Sequence, residues 1–445
     1  MPFKFIDLFA GIGGFHAALR ALGGECVYSV EIDEEASQIY EKNWGHSPKG
    51  DITVDVSDTT MKVPNHDVLV AGFPCQPFSK SGAQKGMEET RGTLYWNILK
   101  IIEQHEPALV LLENVRNLAG PRHVHEWQLI ITTLREAGYR VSYDPVVFSP
   151  HLLPRSLGGR PQVRERVFIV AVRDRSGEDL LDLNIPPILE HGPVDGWNPK
   201  DWHLESDLPL SNDVPDGTSL SETEVYWIDA WNDFVVGMWE EREGVQLPGF
   251  PLWGDSWVLP KDLEIPEGTP KWKENFLNKN ADFYKEHQDF IDAWIQKWDF
   301  RSNRFPASRR KLEWQAQNTP SLWETIMHFR PSGIRAKKAN YVPALVAITQ
   351  TSIIGKYKRK LSPREAARLQ GLPDWYTFGD QKHSATYKQL GNGVNVGVVW
   401  YVLRTAVVTY SHILEKSCPE LVRSVLDAPL NPDIALEKLR TSMAI

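Results

Sequence analysis

Through the first 175 residues, short apolar runs alternate with segments whose apolar positions recur every three or four residues. That alternation predicts a mostly parallel sheet covered by helices. The runs expected as strands are Lys4 to Phe9, Cys26 to Ile32, a short piece near Gly50-Asp51-Ile52, and Asp67 to Ala71. Ala108 to Leu112, Val141 to Phe148 and Arg166 to Val172 complete them. The turn Ala10-Gly11-Ile12-Gly13-Gly14 separates the first strand from an amphipathic helix reaching about Leu22. Beyond Arg173 the pattern changes. Trp227 and Trp231, like Trp294 and Trp298, are four residues apart, a helix-face spacing that reads as core. A last long helix, from Val394 to about Leu414, is expected to return to the first domain beside strand one, and Pro419 to Ile445 forms an amphipathic tail.

At 445 residues the chain is too long for one ordinary core, so two domains are expected. The net charge of −9 is the wrong sign for a simple nucleic-acid binder, but it is unevenly distributed. Residues 174–299 carry 28 Asp/Glu against 9 Lys/Arg, whereas 301–368 carry 15 Lys/Arg against 3 Asp/Glu. A basic surface on an acidic body is the expected outcome, suited to phosphate contact. The three cysteines, Cys26, Cys75 and Cys418, form no Cys-x-x-Cys pair, which excludes a disulfide framework and a sequence-evident zinc site; no metal is expected. With no run of eighteen apolar residues and Met1 running straight into a strand, neither a leader nor a membrane span is expected.

Candidate chemistry gathers at strand ends. The Gly-rich turn lets a ligand approach the backbone closely, and Glu31 follows Gly11 by twenty residues, the distance at which an acidic residue takes ribose hydroxyls. An adenosine-type ligand is implied, with NAD, FAD and S-adenosylmethionine all compatible. Gly72-Phe73-Pro74-Cys75-Gln76-Pro77-Phe78-Ser79 sets a lone thiol behind an apolar strand, at the sheet edge where open α/β folds bind ligands. A long polar, Gly-rich stretch follows it. Glu113 ends another apolar run, where burial would raise its pKa and suit it to proton donation. In Gln162-Val163-Arg164-Glu165-Arg166, strand alternation would point both arginines to one side.

Taken in order, these blocks resemble the cytosine-5 DNA methyltransferases of bacterial restriction–modification systems. Asp7 to Phe15, Gly72 to Ser79, Glu113-Asn114-Val115 and Gln162 to Arg166 carry the resemblance. So do Leu361 to Glu365 with Leu369 to Pro373, and Tyr387 to Val394. It implies an α/β fold of the S-adenosylmethionine-dependent, Rossmann-like type: a doubly wound, mostly parallel sheet with an inserted, smaller target-recognition domain. The expected division is 1–175 catalytic and cofactor-binding, 176–385 target recognition, 386–416 returning helix and 417–445 tail. The resemblance also implies roles. Cys75 would attack C6 of a flipped-out cytosine and Glu113 would protonate N3. Arg164 would contact O2, and Arg166 would brace the cluster. S-adenosylmethionine would lie along Phe9, Gly11, Gly13 and Gly14, with Glu31 on the ribose, beside Ile32, Asp51, Ile52, Pro74, Leu94, Asn392 and Val394.

The partner implied is double-stranded DNA, touched by Ser79, Ser81 and Arg91 near the flipped base. In the basic block, Arg309, Arg310, Lys311, Arg330, Arg335, Lys337 and Lys338 are the expected contacts. The enzyme would act as a monomer in the bacterial cytoplasm, with the nucleoid, and a cognate restriction endonuclease would share its site. A tRNA cytosine-5 methyltransferase, a catalytically silent DNA-binding relative and an NAD-dependent oxidoreductase are the competing readings. The large insert argues against the first, the presence of Cys75, Glu113 and Arg164 against the second, and the Pro-Cys block against the third.

Overall fold

A computed structural model describes residues 1–74, 93–345 and 351–442 of the chain. The first domain contains β1 (Lys4–Leu8), α1 (Gly14–Ala21), β2 (Glu25–Val30), α2 (Glu34–Trp44), β3 (Val68–Gly72) and β4 (Leu109–Val115). β5 (Tyr139–Arg140), β6 (Val146–Phe148), β7 (Gln162–Val163) and β8 (Arg166–Arg173) follow. All of these strands except β7 share one sheet of order β2-β1-β3-β4-β8-β5, with β6 also on β8. β1, β2, β3 and β4 pair in parallel, and β8 runs antiparallel to its neighbours.

Both faces of this sheet are covered, so its strands read as unbroken apolar runs. Phe5, Val68, Val70, Leu109, Leu111 and Val170 pack on the α1 side. Their alternates Ile6, Leu8, Leu69, Ala71, Val110, Leu112 and Ile169 pack on the other. Each fully buried aliphatic side chain contributes about 1.5–3 kcal/mol. A one-residue slip would exchange the two sets.

Two strand expectations are corrected. Gly50-Asp51-Ile52 is not a strand, because Asp51 Oδ1 accepts the Thr53 amide at 2.9 Å and caps a helical turn, Ile52–Asp55. Only the bridge Glu31–Lys49 remains of that pairing. In the 141–148 run only β6 is strand, beginning directly after Pro145, which has no amide to give a ladder.

The returning helix spans Val396–Thr409, with Asn395 Oδ1 accepting the Val398 amide at its start. It packs on α1, in the same core as Phe5 of β1. Two further helices, Pro419–Asp427 and Pro432–Ser442, bury Leu421, Val425, Leu436 and Leu439 in the same core.

A second core lies on a six-stranded sheet of order β15-β14-β11-β12-β10-β9. Its strands are β9 (Leu252–Trp253), β10 (Lys311–Gln315), β11 (Thr325–Arg330), β12 (Gly333–Lys338), β14 (Ile353–Ile354) and β15 (Arg359–Lys360). Trp231, Trp257 and Trp294 are buried there with Phe234 and Phe300, as helix-face core, while Trp227 and Trp298 pack at its margin. Beyond residue 360 the buried residues pack with the first core, among them Leu361, Ala366, Leu369, Tyr376 and Leu390, and Leu204, Leu208, Ile326 and Ile354 join it from earlier in the chain. Arg359, wholly buried and paired to Glu365 at 2.7 Å, marks the seam. β13 (Val342–Pro343) pairs with β7 and ties the second domain to the segment carrying Arg164.

Candidate active site and nucleic-acid interface

A cavity of about 450 Å³ opens where the carboxyl ends of β1, β3 and β4 meet the start of α1. This is the topological switch point of the sheet, since the chain leaves β1 for β2 on one side and β3 lies on the other. Its wall is the turn after β1. Phe9, Gly11 and Gly13 all adopt positive φ (57°, 53° and 85°), which glycine takes freely and Phe9 holds against strain. Gly14 has no room for a side chain: a Cβ would fall 2.8 Å from Val394 Cγ2 and 3.0 Å from the Val394 carbonyl.

Of the twelve cofactor positions expected from sequence, Phe9, Gly11, Gly14, Glu31, Ile32, Asp51, Ile52, Pro74, Leu94, Asn392 and Val394 line this cavity. Gly13 does not. It stands behind the turn against Trp44, whose Nε1 lies 2.3 Å from where a Cβ would be. The Glu31 carboxylate accepts the Gly11 and Asp33 amides, both at 2.8 Å, and thereby fixes the turn. Ile32 is 74 % exposed, an apolar side chain with nothing over it. Asp33 and Lys388, which the sequence reading passed over, meet at 3.1 Å across the cavity mouth. Lys388 stands in the Tyr387 to Val394 block, so its position was marked even though its role was not.

On the β4 side, Glu113 is 6 % exposed and faces the same cavity, with Arg166 Nε 3.0 Å from its Oε1. Burial raises the Glu113 carboxyl above its usual range, while Arg166 and then Arg164 draw it back. Asn114 was also overlooked, although it adjoins Glu113 in sequence. Its Nδ2 donates to the Phe73 carbonyl at 2.8 Å, tying the end of β4 to the chain leading to Pro74. Cys75, Ser79, Ser81 and Arg91 lie outside the described residues.

The two arginines of the Gln162 to Arg166 block part ways. Arg164 does not line the cavity: its guanidinium is buried and donates to the carbonyls of Leu345 (3.2 Å), Gly391 (2.9 Å) and Gly393 (2.7 Å). It lies between β7 and β8, where strand alternation does not apply. Arg166 is the one that lines the cavity.

The basic block divides as well. Arg309 lies over the Phe329 and Trp227 rings and donates to the Arg330 carbonyl, and Arg310 pairs with Asp255 at 2.8 Å. Lys311 reaches over Trp253. These three make their contacts within the second domain. Arg330, Arg335 and Lys337 instead share the face of β11 and β12 turned away from Met327, Ile334 and Ala336. Glu313 binds Arg335 at 2.6 Å and approaches Arg330 at 3.9 Å. Burial, then Arg335 and Arg330, lower the Lys337 pKa. Lys337 and Lys338 line a polar cleft of about 780 Å³ with Gln315, Gln317, Asn318, Thr319, Asn340 and Tyr341.

A switch-point cavity flanked by a buried Glu–Arg pair, beside a second domain with a polar, basic cleft, defines a group-transfer enzyme for a large substrate. The family model for C-5 cytosine-specific DNA methylases matches residues 3–407, and the chain belongs to that family. It is a DNA cytosine-5 methyltransferase. It is 48 % identical to the Type II methyltransferase M.AluI of Cellulosimicrobium cellulans, over 91 % of this chain and 92 % of that protein. It is 32 % identical to M.HhaI of Haemophilus parahaemolyticus, over 90 % and 92 % respectively. Among the described residues no helix is long and apolar enough to cross a membrane.

Proposed function

We propose that the chain methylates C5 of a cytosine flipped out of duplex DNA, through a covalent adduct of Cys75 to C6. The observation that carries this reading is the buried Glu113–Arg166 pair, opening on the cavity that Pro74 and the Gly11–Gly14 turn also line. S-adenosylmethionine, when bound, supplies the methyl group from a positively charged sulfur. The residues present fit it. Ile32 offers an exposed apolar surface to a purine, and the Glu31 oxygens keep lone pairs for ribose hydroxyls beyond the two amides they accept. A side chain at Gly14 would narrow the cavity against Val394.

Glu113, whose carboxyl burial raises above its usual range, donates a proton to N3 of the ring as the Cys75 thiolate adds to C6, and C5 becomes nucleophilic. Arg166 holds the Glu113 carboxyl and presents its remaining donors to O2. After transfer, a base removes the C5 proton and the thiolate departs. Arg164 acts through position: it clamps 391–393, a cavity wall, to the segment after β13. Extracting the base from the stack costs about a few kcal/mol. Backbone contacts from the second domain offset that cost.

For recognition, we assign the face bearing Arg330, Arg335 and Lys337, with the adjoining cleft of Gln317, Asn318 and Lys338, to the DNA. Amides there can pair with adenine edges and the arginines with guanine or phosphate. Action as a monomer in the cytoplasm, and a cognate endonuclease reading the same site, belong to this proposal. Incubation with a tritiated methyl donor and mixed-sequence duplex DNA, followed by bisulfite mapping, tests it. The expected result is 5-methylcytosine in one short context, abolished by Cys75→Ser. Transfer to tRNA alone, or activity surviving in Cys75→Ser, overturns it.

A further inference from the structure

Where α1, β2 and the residues just after α2 meet, three side chains with metal-binding donors converge. We propose that His16, Cys26 and His46 form a site for a divalent transition-metal ion of the zinc class. One donor atom from each lies within 4.8 Å of the other two. Two imidazoles and a thiolate are the donor set that such ions prefer, in a tetrahedron completed by a hydroxyl or water. The Tyr40 hydroxyl is in place for that fourth position, 2.6 Å from His16 Nδ1 and 3.8 Å from Cys26 Sγ.

Bond lengths of ~2.0–2.3 Å to zinc put tetrahedral ligand atoms about 3.5 Å apart, so the cluster needs to close by about 1 Å. His16 is buried and fixed, stacked on Trp44 with ring centroids 4.4 Å apart. Cys26 and His46 are only half-buried, which also gives the ion an entry path.

A second observation calls for a cation there. Asp7 is wholly buried on the face of β1 that also carries Phe5, whose ring meets His16 at 5.4 Å. Among the described residues neither Asp7 oxygen has a hydrogen-bond partner at normal distance and angle. Asp7 pairs in register with Ser29, whose hydroxyl meets His46 Nε2 at 3.1 Å. Bound metal would join α1, β2 and the end of α2, the elements that carry the Gly-rich turn and Glu31.

The test uses the full chain with Cys75→Ser, which removes the thiol assigned to methyl transfer. After chelator treatment, cobalt(II) is titrated in and the absorption spectrum followed. Saturation at one equivalent is expected, with a thiolate-to-cobalt charge-transfer band, four-coordinate ligand-field bands and displacement by zinc. Adding Cys26→Ser should abolish the charge-transfer band while Cys418→Ser leaves it. His46→Ala, on a half-exposed turn where folding is not at risk, should weaken binding by more than ~10-fold. Zinc should raise Tm in the parent and not in Cys26→Ser. No charge-transfer band, or one that survives Cys26→Ser, overturns the proposal and leaves a hydrogen-bonded His–Tyr cluster.

Discussion

Arg164→Lys and Arg166→Lys should fail in opposite ways, although the two residues sit in one short motif. The Arg164 guanidinium makes three hydrogen bonds to main-chain carbonyls at 2.7–3.2 Å, two of them to residues 391 and 393. A lysine ammonium reaches from the same backbone as a point donor and can keep one of the three. Each buried, charge-assisted bond contributes about 1.5–3 kcal/mol net, so losing two removes about 3–6 kcal/mol. Part of this is recovered as the 391–393 segment relaxes. That relaxation displaces Asn392 and Val394 from the cavity wall, so it weakens cofactor binding. If a third to a half of the loss falls on the cofactor, about 1–3 kcal/mol, affinity falls by about 5- to 140-fold, at 1.4 kcal/mol per factor of ten.

Arg166 holds Glu113 and none of the 391–393 carbonyls. Arg166→Lys should therefore leave cofactor affinity within about twofold and lower kcat by about 10²-fold or more, the range for a misplaced acid. The assay is calorimetric titration with the demethylated cofactor, paired with single-turnover methyl transfer and thermal melts for both variants. Arg164→Lys should melt several degrees below the parent and Arg166→Lys close to it. Unchanged cofactor affinity in Arg164→Lys, with a loss confined to kcat, would refute the assignment of positions.

The pH dependence should follow Glu113. Burial raises its folded pKa above the unfolded value, so the acid form is present below that raised pKa and is lost as pH rises through it. The single-turnover rate should show that alkaline limb, and Glu113→Gln should lack it while falling ~10²–10⁴-fold; a limb persisting in Glu113→Gln would assign it elsewhere. Gly14→Ala should cost about 1–3 kcal/mol of stability and raise the cofactor Kd, because its Cβ meets the Val394 carbonyl at 3.0 Å, readable by denaturant titration. Lys337→Ala with Lys338→Ala should weaken DNA binding and reduce the salt slope by about one to two, whereas Arg310→Ala, already paired to Asp255, should leave the slope unchanged. Filter binding across salt concentrations separates these, and equal slopes for all three would move the interface elsewhere.

The parts legible in the sequence share one physical cause: they are local. The β1 turn is specified by Gly11 and Gly13, both at positive φ, so Phe9 to Gly14 could be read directly, and Glu31 followed by its distance along a βαβ unit. Glu113 was legible because an apolar strand ending in a carboxylate has few other places to put it. What could not be read depended on partners far away in the chain. Arg164 and Arg166 carry the same charge two residues apart, and nothing local says that one meets carbonyls more than 180 residues later while the other meets Glu113. Arg309, Arg310 and Lys311 form the densest basic run in the recognition block, yet density measures only the charge available. Whether it faces solvent depends on Phe329, Trp227 and Asp255 arriving from other elements. The Gly50–Ile52 segment failed for a smaller reason of the same kind. Its residue types suit a strand, but the Asp51 carboxylate takes the Thr53 amide first, and a helical turn forms where a strand edge would have been. A charge or a carboxylate in a sequence is thus an offer of a bond, and the fold decides which partner accepts it. That is why much of the cavity wall could be read from the sequence, and the division of work between its arginines could not.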